Sequence, residues 1–328
     1  MAYTRDNVLT LEDFAKLPTS TVWSAIDEAY NAGTNPFRAA GVLTNSPLIS
    51  RSLNDGEGIR TEVQAWNDLE YVESNVSNDD PEDHATPLKM DTKLWSAVRT
   101  HRNVGVSGMN LVQDFAAQDP LAVLSGRVAN YKNTDEVTHL FAVLNGLIAG
   151  DATAQKFTYT MDAGSTFDIR EVLKAVQETK GDNAGVVTTI GMSSARYLDL
   201  QLANVIDNVP ASQTDVSFRT IGNGRFKLAV DDRFGNNLVG LGNSMFHFGT
   251  APQSRKSVAV QSVEDAGNGS GQETIWFRWK TIVHPMGFNY NGTFAAKGGP
   301  SFAELNAANA YTLASEAKKL PLVIIKAA

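Results

Sequence analysis

The sequence predicts a mixed α+β protein that carries an extended acidic hairpin and one long central helix. Three stretches of the chain support this prediction. Residues 275–326 have the residue order of a strand, a turn, a second strand, a helix and a final strand. All of the net charge falls between residues 55 and 93, and apolar residues recur at helical spacing between residues 119 and 150.

Length and composition exclude several classes of protein. The chain has 328 residues, which is long enough to bury a sizeable core and indicates two lobes. Its composition, 42% apolar and 20% charged, is that of an ordinary globular protein. It contains no cysteine, which excludes disulfides, thiol nucleophiles and thiolate metal sites. No apolar run approaches the roughly 18 residues of a membrane helix, and the first residues lack a signal-peptide pattern. We therefore expect no membrane segment and folding in a cytoplasm.

Residues 55–93 hold eleven acidic and three basic residues, a balance of −8 that equals the net charge of the whole chain. The segment contains aromatic residues, which argues against a purely disordered tail. We predict a projecting hairpin with one arm at Ile59–Tyr71, a tip at Ser77–Asp83 and a return at Pro87–Leu94; a solvated loop remains the alternative. An isolated hairpin is barely stable, so its aromatic residues require a neighbouring surface. Phosphates would be repelled, which makes nucleic acid a poor partner here. The predicted subunit-interface residues are Trp66, Glu70, Tyr71, Asp79, Asp80, Glu82, Asp83 and Lys89.

The middle of the chain predicts a helix of about thirty residues, or ~45 Å. Asp119 is a candidate N-cap, Pro120 suits the first helical position, and Gly150 is a candidate stop after the last apolar residue. Leu144 lies on the apolar face. The polar stretch 132–136 leaves open a bend, or two helices with a break there. A helix of this length suits a spine that connects distant parts of an elongated subunit.

Residues 167–283 are predicted to form a separate α/β lobe. A helix capped by Asp168 ends near Gly181, a buried strand follows at 185–191, and Ser193 caps a helix that extends to about residue 205. Further strands are predicted at 225–230, 243–248 and 258–263.

The C-terminal stretch begins with a strand at 274–283 that is rich in aromatic and β-branched residues. His284, Pro285 and Gly287 then break the strand and restart it. Ser301 and Glu304 have the spacing of a capping box, which predicts a helix to about Lys318, and residues 320–326 form a buried final strand.

No arrangement of residues indicates catalysis, a cofactor or a metal. The five histidines show no metal-ligand spacing, and each is better explained as a packed side chain; His284 precedes a proline at a strand bend. The phosphate-binding loop and the nucleophile elbow are absent. The acidic stretch 78–83 lacks the glycine and spacing of a calcium-binding loop. We predict that the chain is not an enzyme, although an α/β enzyme with an unrecognised site remains an alternative.

The order of these segments over about 230 residues resembles the major capsid proteins of tailed phages with the Hong Kong 97-like fold. The segments that carry the resemblance are Asp119-Pro120 with the helix to 149, 168–181, 186–194, Gly224–Asp232, His284–Gly287 and 301–326. Residues 1–100 match mainly in layout. Tyr311 stands where relatives often have tryptophan.

This resemblance implies a role for each part of the chain. Residues 1–50 would form an N-terminal arm with a helical turn at 10–16, and 51–100 an extended loop that lies across a neighbouring subunit. Residues 101–167 and 276–328 would form a peripheral domain with a spine helix at 119–150, and 168–275 an axial domain. Copies would assemble in a bacterial host cytoplasm into pentamers and hexamers of an icosahedral head around double-stranded DNA, and a procapsid would expand on packaging.

The implied partners are copies of the chain, scaffolding and portal proteins, packaged DNA without sequence specificity, and a decoration protein. An encapsulin-like compartment shell, which shares the fold, remains an alternative. Some relatives cross-link a loop lysine to an asparagine of another subunit, but no motif here identifies such a pair.

Overall fold

The structure is a computed structural model that describes residues 26, 35–54, 58–66, 71–90, 92–109, 120–161, 168–202, 206–207, 219–222 and 224–326. The helices are α1 (Pro36–Ala39), α2 (Pro47–Asn54), α3 (Pro120–Ala154), α4 (Ile169–Lys180), α5 (Ser194–Leu202), α6 (Ala266–Gly269) and α7 (Phe302–Leu305). The strands are β1 (Leu43–Asn45), β2 (Arg60–Trp66), β3 (Thr92–Val98), β4 (Thr100–Met109), β5 (Thr158–Thr160), β6 (Thr189–Met192), β7 (Ile206–Asp207), β8 (Thr220–Ile221), β9 (Phe226–Val230), β10 (Leu238–Leu241), β11 (Phe246–Pro252), β12 (Val258–Val263), β13 (Gln272–Pro285), β14 (Phe288–Tyr290), β15 (Tyr311–Leu313) and β16 (Leu322–Lys326).

A five-stranded sheet is organised around β13, whose predicted strand is confirmed and extends from residue 272 to 285. One edge of β13 pairs with β11 and then β12, both antiparallel, while its other edge pairs with β4 from Thr281↔Thr100 to Gln272↔Met109. Alternate side chains of β13 point to opposite faces. The Ile275, Phe277 and Trp279 side chains are buried against α3.

A seven-stranded sheet has the order β5-β16-β10-β6-β9-β8-β7. Its adjacent strands β6 and β9 are parallel, and α4 and α5 pack their apolar sides into the same core. The predicted Asp168 N-cap and the stop at Gly181 (φ +56°) are confirmed. The strand predicted from residue 185 begins only at Thr189, because residues 181–186 form a 3-10 helix.

The two sheets do not follow the chain boundaries that the sequence suggested for two domains. The sequence assigned β11 and β12 to the axial domain, but both strands pair with β13 in the five-stranded sheet. The sequence assigned β16 to the peripheral domain, but this strand pairs with β10 and β5 in the seven-stranded sheet. The C-terminal strand therefore connects the two halves of the molecule.

The long helix α3 is continuous from Pro120 to Ala154, so the open alternative of a break at 132–136 is wrong. Asp119, the predicted N-cap, lies outside the described residues. The predicted stop at Gly150 is also wrong, because the glycines serve close packing: a Cβ on Gly146 would lie 2.3 Å from the Leu305 carbonyl oxygen, and one on Gly150 would lie 2.9 Å from that of Ala308.

Asp151 explains where α3 ends. Its carboxylate accepts hydrogen bonds from the backbone N–H groups of Lys156 and Phe157, at 2.8 and 3.0 Å, just beyond the last helical turn. Among the described helices, only residues 126–154 of α3 are long and apolar enough to cross a membrane. Leu144 is fully buried there, and this stretch is the central helix of the largest hydrophobic cluster.

The C-terminal helix is much shorter than predicted. The capping box is confirmed, with Ser301 Oγ accepting from the Glu304 N–H and the Glu304 carboxylate accepting from the Ser301 N–H, but α7 ends at Leu305 rather than near Lys318. The chain then turns into β15, which pairs with β14 and buries Tyr311 beside Tyr290. Burial of this aromatic pair and completion of the β14 hydrogen bonds override the helix propensity of the alanine-rich stretch.

Candidate assembly surface

The predicted acidic hairpin is present, with shorter arms. β2 and β3 pair antiparallel from Arg60↔Val98 to Trp66↔Thr92. The strands therefore end at residue 66 and begin again at residue 92, whereas the predicted arms extended to Tyr71 and started at Pro87. Residues 71–90 contain no strand, so the ladder between β2 and β3 forms only the base of the projection.

The base of the hairpin is fixed to the five-stranded sheet by aromatic packing. The Trp95 ring stacks on the His247 ring, with centroids 6.4 Å apart, and lies 6.3 Å from the His284 ring. The Ser96 backbone N–H also donates to Asn289 Oδ1 at 3.1 Å. Burial lowers the pKa of His284 to about 3, so the ring is neutral at pH 7 and packs as a nearly apolar surface.

The break that follows His284 has a simple steric basis. Pro285 is the last residue of β13, and the chain turns through Gly287 at φ +77°. A Cβ on Gly287 would lie 2.4 Å from a methyl group of Leu320. This turn therefore needs glycine both for its backbone conformation and for space, which explains the break that the sequence showed.

Beyond the hairpin base, every residue from 71 to 90 is exposed. The carboxylates and amides at the tip hold a tight turn: Asp80 N–H donates to Asn78 Oδ1 and Glu82 N–H to Asp80 Oδ1, both at 3.0 Å. Tyr71 and Val76 are 94% and 88% exposed, and Val72, Leu88 and Met90 are each more than half exposed. The predicted interface residues Asp79, Glu82, Asp83 and Lys89 are exposed in the same segment, whereas Glu70 and the Trp66 side chain lie outside the described residues.

This segment combines two kinds of surface that have opposite preferences for water. Five acidic side chains, at positions 73, 79, 80, 82 and 83, stand against one lysine at 89. Five large apolar side chains are exposed beside them, which is uncommon for a stretch of twenty residues that has no further partner. The arrangement fits a surface that is covered when subunits associate.

Sequence reasoning missed a buried ion pair that ties the N-terminal segment to α3. Arg38 donates from Nε and Nη2 to the two Glu136 carboxylate oxygens, at 2.8 and 2.7 Å, and Asn35 Nδ2 adds a bond of 3.1 Å. Burial by itself raises the pKa of Glu136, and the charge of the paired guanidinium acts in the opposite direction and favours the ionised carboxylate. The signal in the sequence was a charged residue on the inward side of the helix, within the polar stretch 132–136.

The described residues contain no group of three or more His, Asp or Glu side chains that would hold a metal ion. The buried His139 and His284 and the half-buried His247 instead pack against aromatic rings; His139, for example, lies 5.7 Å from the Phe302 ring, and burial lowers its pKa to about 3. These rings are packing groups in the interior of the subunit.

No protein-family model matches the chain. A curated relative, the major capsid protein of Bacillus phage SPP1, is 27% identical over 299 residues, which cover 88% of this chain and 90% of that protein. The capsid of Ralstonia phage GP4 superposes with a TM-score of 0.53 and 11% identity, over 77% of this chain and 85% of that one. The capsid of cyanophage Pam1 gives 0.51 and 12%, over 89% and 93%.

The chain has the fold of phage major capsid proteins. The procapsid of satellite phage P4 also matches, with a TM-score of 0.52, 11% identity and coverage of 95% and 92%. These matches cover between 77% and 95% of this chain. The resemblance seen in the sequence is thereby confirmed.

Proposed function

We propose that this chain is the major capsid protein of a phage, a structural subunit that assembles with copies of itself into an icosahedral head. The observation that supports this most strongly is the similarity to a major capsid protein over 88% of the chain, joined to the shared fold. Its place of action is then the capsid of the virion. The proteins it resembles are structural, and we expect no catalytic activity.

The physical argument for assembly comes from segment 71–90. Its apolar side chains are exposed in the single subunit, and covering them removes apolar surface from water at about 25 cal/mol per Å². A closed shell repeats such a contact at every subunit, so many modest contacts add up to a stable particle. The hairpin base packs against the five-stranded sheet through Trp95, so the projection leaves the subunit beside this sheet.

The parts of the chain receive roles within this proposal. The five-stranded sheet with α3 would form the peripheral domain, with α3 as its spine, and the seven-stranded sheet would form the axial domain around the five-fold and quasi-six-fold axes. Residues 1–50 would act as the N-terminal arm. Scaffolding, portal and decoration proteins and double-stranded DNA are the partners that such a shell requires.

A protein compartment shell of the encapsulin type is the second candidate, because it requires the same self-association. The similarity to phage capsid proteins favours the viral shell. The contents of the particle separate the two, since a phage head encloses DNA and a compartment encloses cargo protein.

Negative-stain electron microscopy and sedimentation of the purified chain test the proposal, first alone and then with its scaffolding partner. Closed shells, rings or extended sheets are the expected result. A chain that stays monomeric with the scaffolding partner present contradicts it.

Deletion of residues 75–84 tests the role of the exposed segment. The deleted residues are all exposed and make their described hydrogen bonds within the segment, so the subunit should retain its thermal transition. It should no longer form closed shells, because the contact with the neighbour is lost. Intact particles from this variant would show that the segment is not the assembly contact.

A further inference from the structure

We propose that segment 71–90 of one copy docks on a basic face of the five-stranded sheet of a neighbouring copy, with Trp276 and Arg278 at its centre. We define the basic face by Arg255, Lys256, Trp276 and Arg278. This inference rests on the proposed function, since it names the surface that receives the acidic segment during assembly.

The open part of this face follows from the alternation of side chains along β13. Residues 275, 277 and 279 point toward α3, so 276, 278 and 280 point to the opposite side. α2 covers one half of that side: Lys280 Nζ donates to the Leu53 carbonyl at 2.8 Å, and a Cβ on Gly249 would lie 2.8 Å from Ile49. Beyond Lys280, Arg278 and Trp276 are only partly covered.

Trp276 forms a flat apolar platform in the open half. It lies opposite Gly105 of β4, where a Cβ would come within 2.8 Å of the indole ring, and opposite Ala259 of β12. The indole Nε1–H donates to Gln261 Oε1 at 3.3 Å, which fixes the ring across the strands. Small residues on both sides leave a shallow surface on which an aromatic or aliphatic side chain can pack.

The charge of this surface is strongly one-sided. The bases on the open half of this side are Arg255, Lys256 and Arg278, and the stretches 253–263 and 274–285 that carry them contain no Asp or Glu. The loop with Arg255 and Lys256 is fixed beside β13, because Arg278 N–H donates to the Ser257 carbonyl at 2.8 Å. In the described part of the chain, no carboxylate forms an ion pair with Arg255, Lys256 or Arg278.

A neighbouring titratable group reports further positive charge at the covered end of the same side of the sheet. The pKa of His101, which pairs with Lys280 across the two strands, is lowered by partial burial and by the charges of Arg99 and Lys280. A negatively charged segment placed on this face would relieve the mutual repulsion of these bases.

Segment 71–90 is complementary to the basic face in charge and in apolar surface. It offers five carboxylates and five exposed apolar side chains, against the bases and the indole of the face. Within one chain the segment is exposed at all of its twenty residues, so it does not cover the face of its own subunit. A second copy is therefore the occupant that the charges and the exposed apolar surface favour.

A charge swap tests this pairing in the full-length protein. One variant reverses the face (R255E/K256E), a second reverses the tip (D79K/D80K/E82K/D83K), and a third combines both sets. The matched control is R170E/K318E, which makes the same change of charge at exposed positions elsewhere. Thermal transitions establish folding, and the yield of closed shells is measured by sedimentation and electron microscopy.

We expect each single reversal to lower the shell yield about tenfold or more, because attraction becomes repulsion at every contact in the shell. The combined variant should recover most of the yield, and the control should assemble as the original chain does. A labelled peptide of residues 71–90 should bind the full-length chain more weakly after R255E/K256E, with an affinity that falls as salt rises.

Two results would overturn the pairing: shells of R255E/K256E at the original yield, or a combined variant no better than the single ones. R255E/K256E shells at the original yield that also lack DNA would assign the face to phosphate binding. Failure of the unaltered chain to form shells would instead refute the proposed function, so the two failures are distinguishable.

Discussion

Replacement of Gly146 by alanine sets two effects of known size against each other. Gly146 lies in the interior of α3, where alanine is favoured over glycine by about 1 kcal/mol. The added Cβ, however, would lie 2.3 Å from the Leu305 carbonyl oxygen and 3.1 Å from the Tyr311 ring. An ordinary contact needs ~1 Å more, and the obstacle is backbone at the end of α7, which cannot rotate away.

Overpacking of this kind costs about 1–3 kcal/mol or more, so the clash should exceed the gain in helix propensity. We expect Gly146→Ala to lower the free energy of unfolding by ~1–2 kcal/mol, measured by chemical denaturation of the unassembled subunit. Gly126→Ala is the matched control, because none of the described atoms lies within 4 Å of its Cβ position. That variant should gain about 1 kcal/mol. Equal stabilisation by both changes would refute the packing argument.

Three further predictions concern buried polar and apolar groups. Arg38→Met leaves the buried Glu136 without its cation and should lower the free energy of unfolding by ~2–3 kcal/mol, less than for a fully buried pair because Arg38 is partly exposed. Adding Glu136→Leu should recover most of this loss, and a double variant as unstable as Arg38→Met would contradict the prediction. Leu144→Asp buries an unpaired charge and should prevent soluble folding, whereas Asn145→Asp, the control at a half-buried position, should fold. A normal thermal transition for Leu144→Asp would count against the core position of Leu144. His284, like His139, has a folded pKa of about 3, below its unfolded value, so each ring should contribute ~2 kcal/mol to a loss of stability from pH 7 to 5. His284→Gln should remove about half of this pH dependence, and an unchanged pH dependence would exclude this residue as a cause.

Local signals in the sequence were sufficient for several elements. Asp168 and Gly181 bounded α4 correctly, since a side-chain cap and a positive φ depend on single residues. The alternation and aromatic content of β13 likewise identified a strand. The concentration of acidic residues predicted the projecting hairpin, because a surplus of like charge cannot be buried together.

Other elements depended on partners that are distant in the sequence. Gly150 has the appearance of a helix stop, but the nearby turn at Ala308 makes it a packing glycine inside α3. The alanine-rich stretch after Leu305 favours a helix locally, yet Tyr311 is buried beside Tyr290 and pairs as a strand. Glu136 lies in the polar stretch 132–136, and only the fold brings Arg38 to it across 98 positions of sequence.

The sequence by itself determined the class of fold, the acidic hairpin and the absence of thiol chemistry, because composition, charge and short-range periodicity act within a few residues. The tertiary structure alone decided which sheet receives β16, where α3 ends, and which basic residues gather around Trp276. Those outcomes depend on side chains and backbone groups that meet only after folding, when burial and steric contact outweigh local preference. The proposed docking face combines β13 with the loop that holds Arg255 and Lys256, and it cannot be recognised before these stretches are side by side.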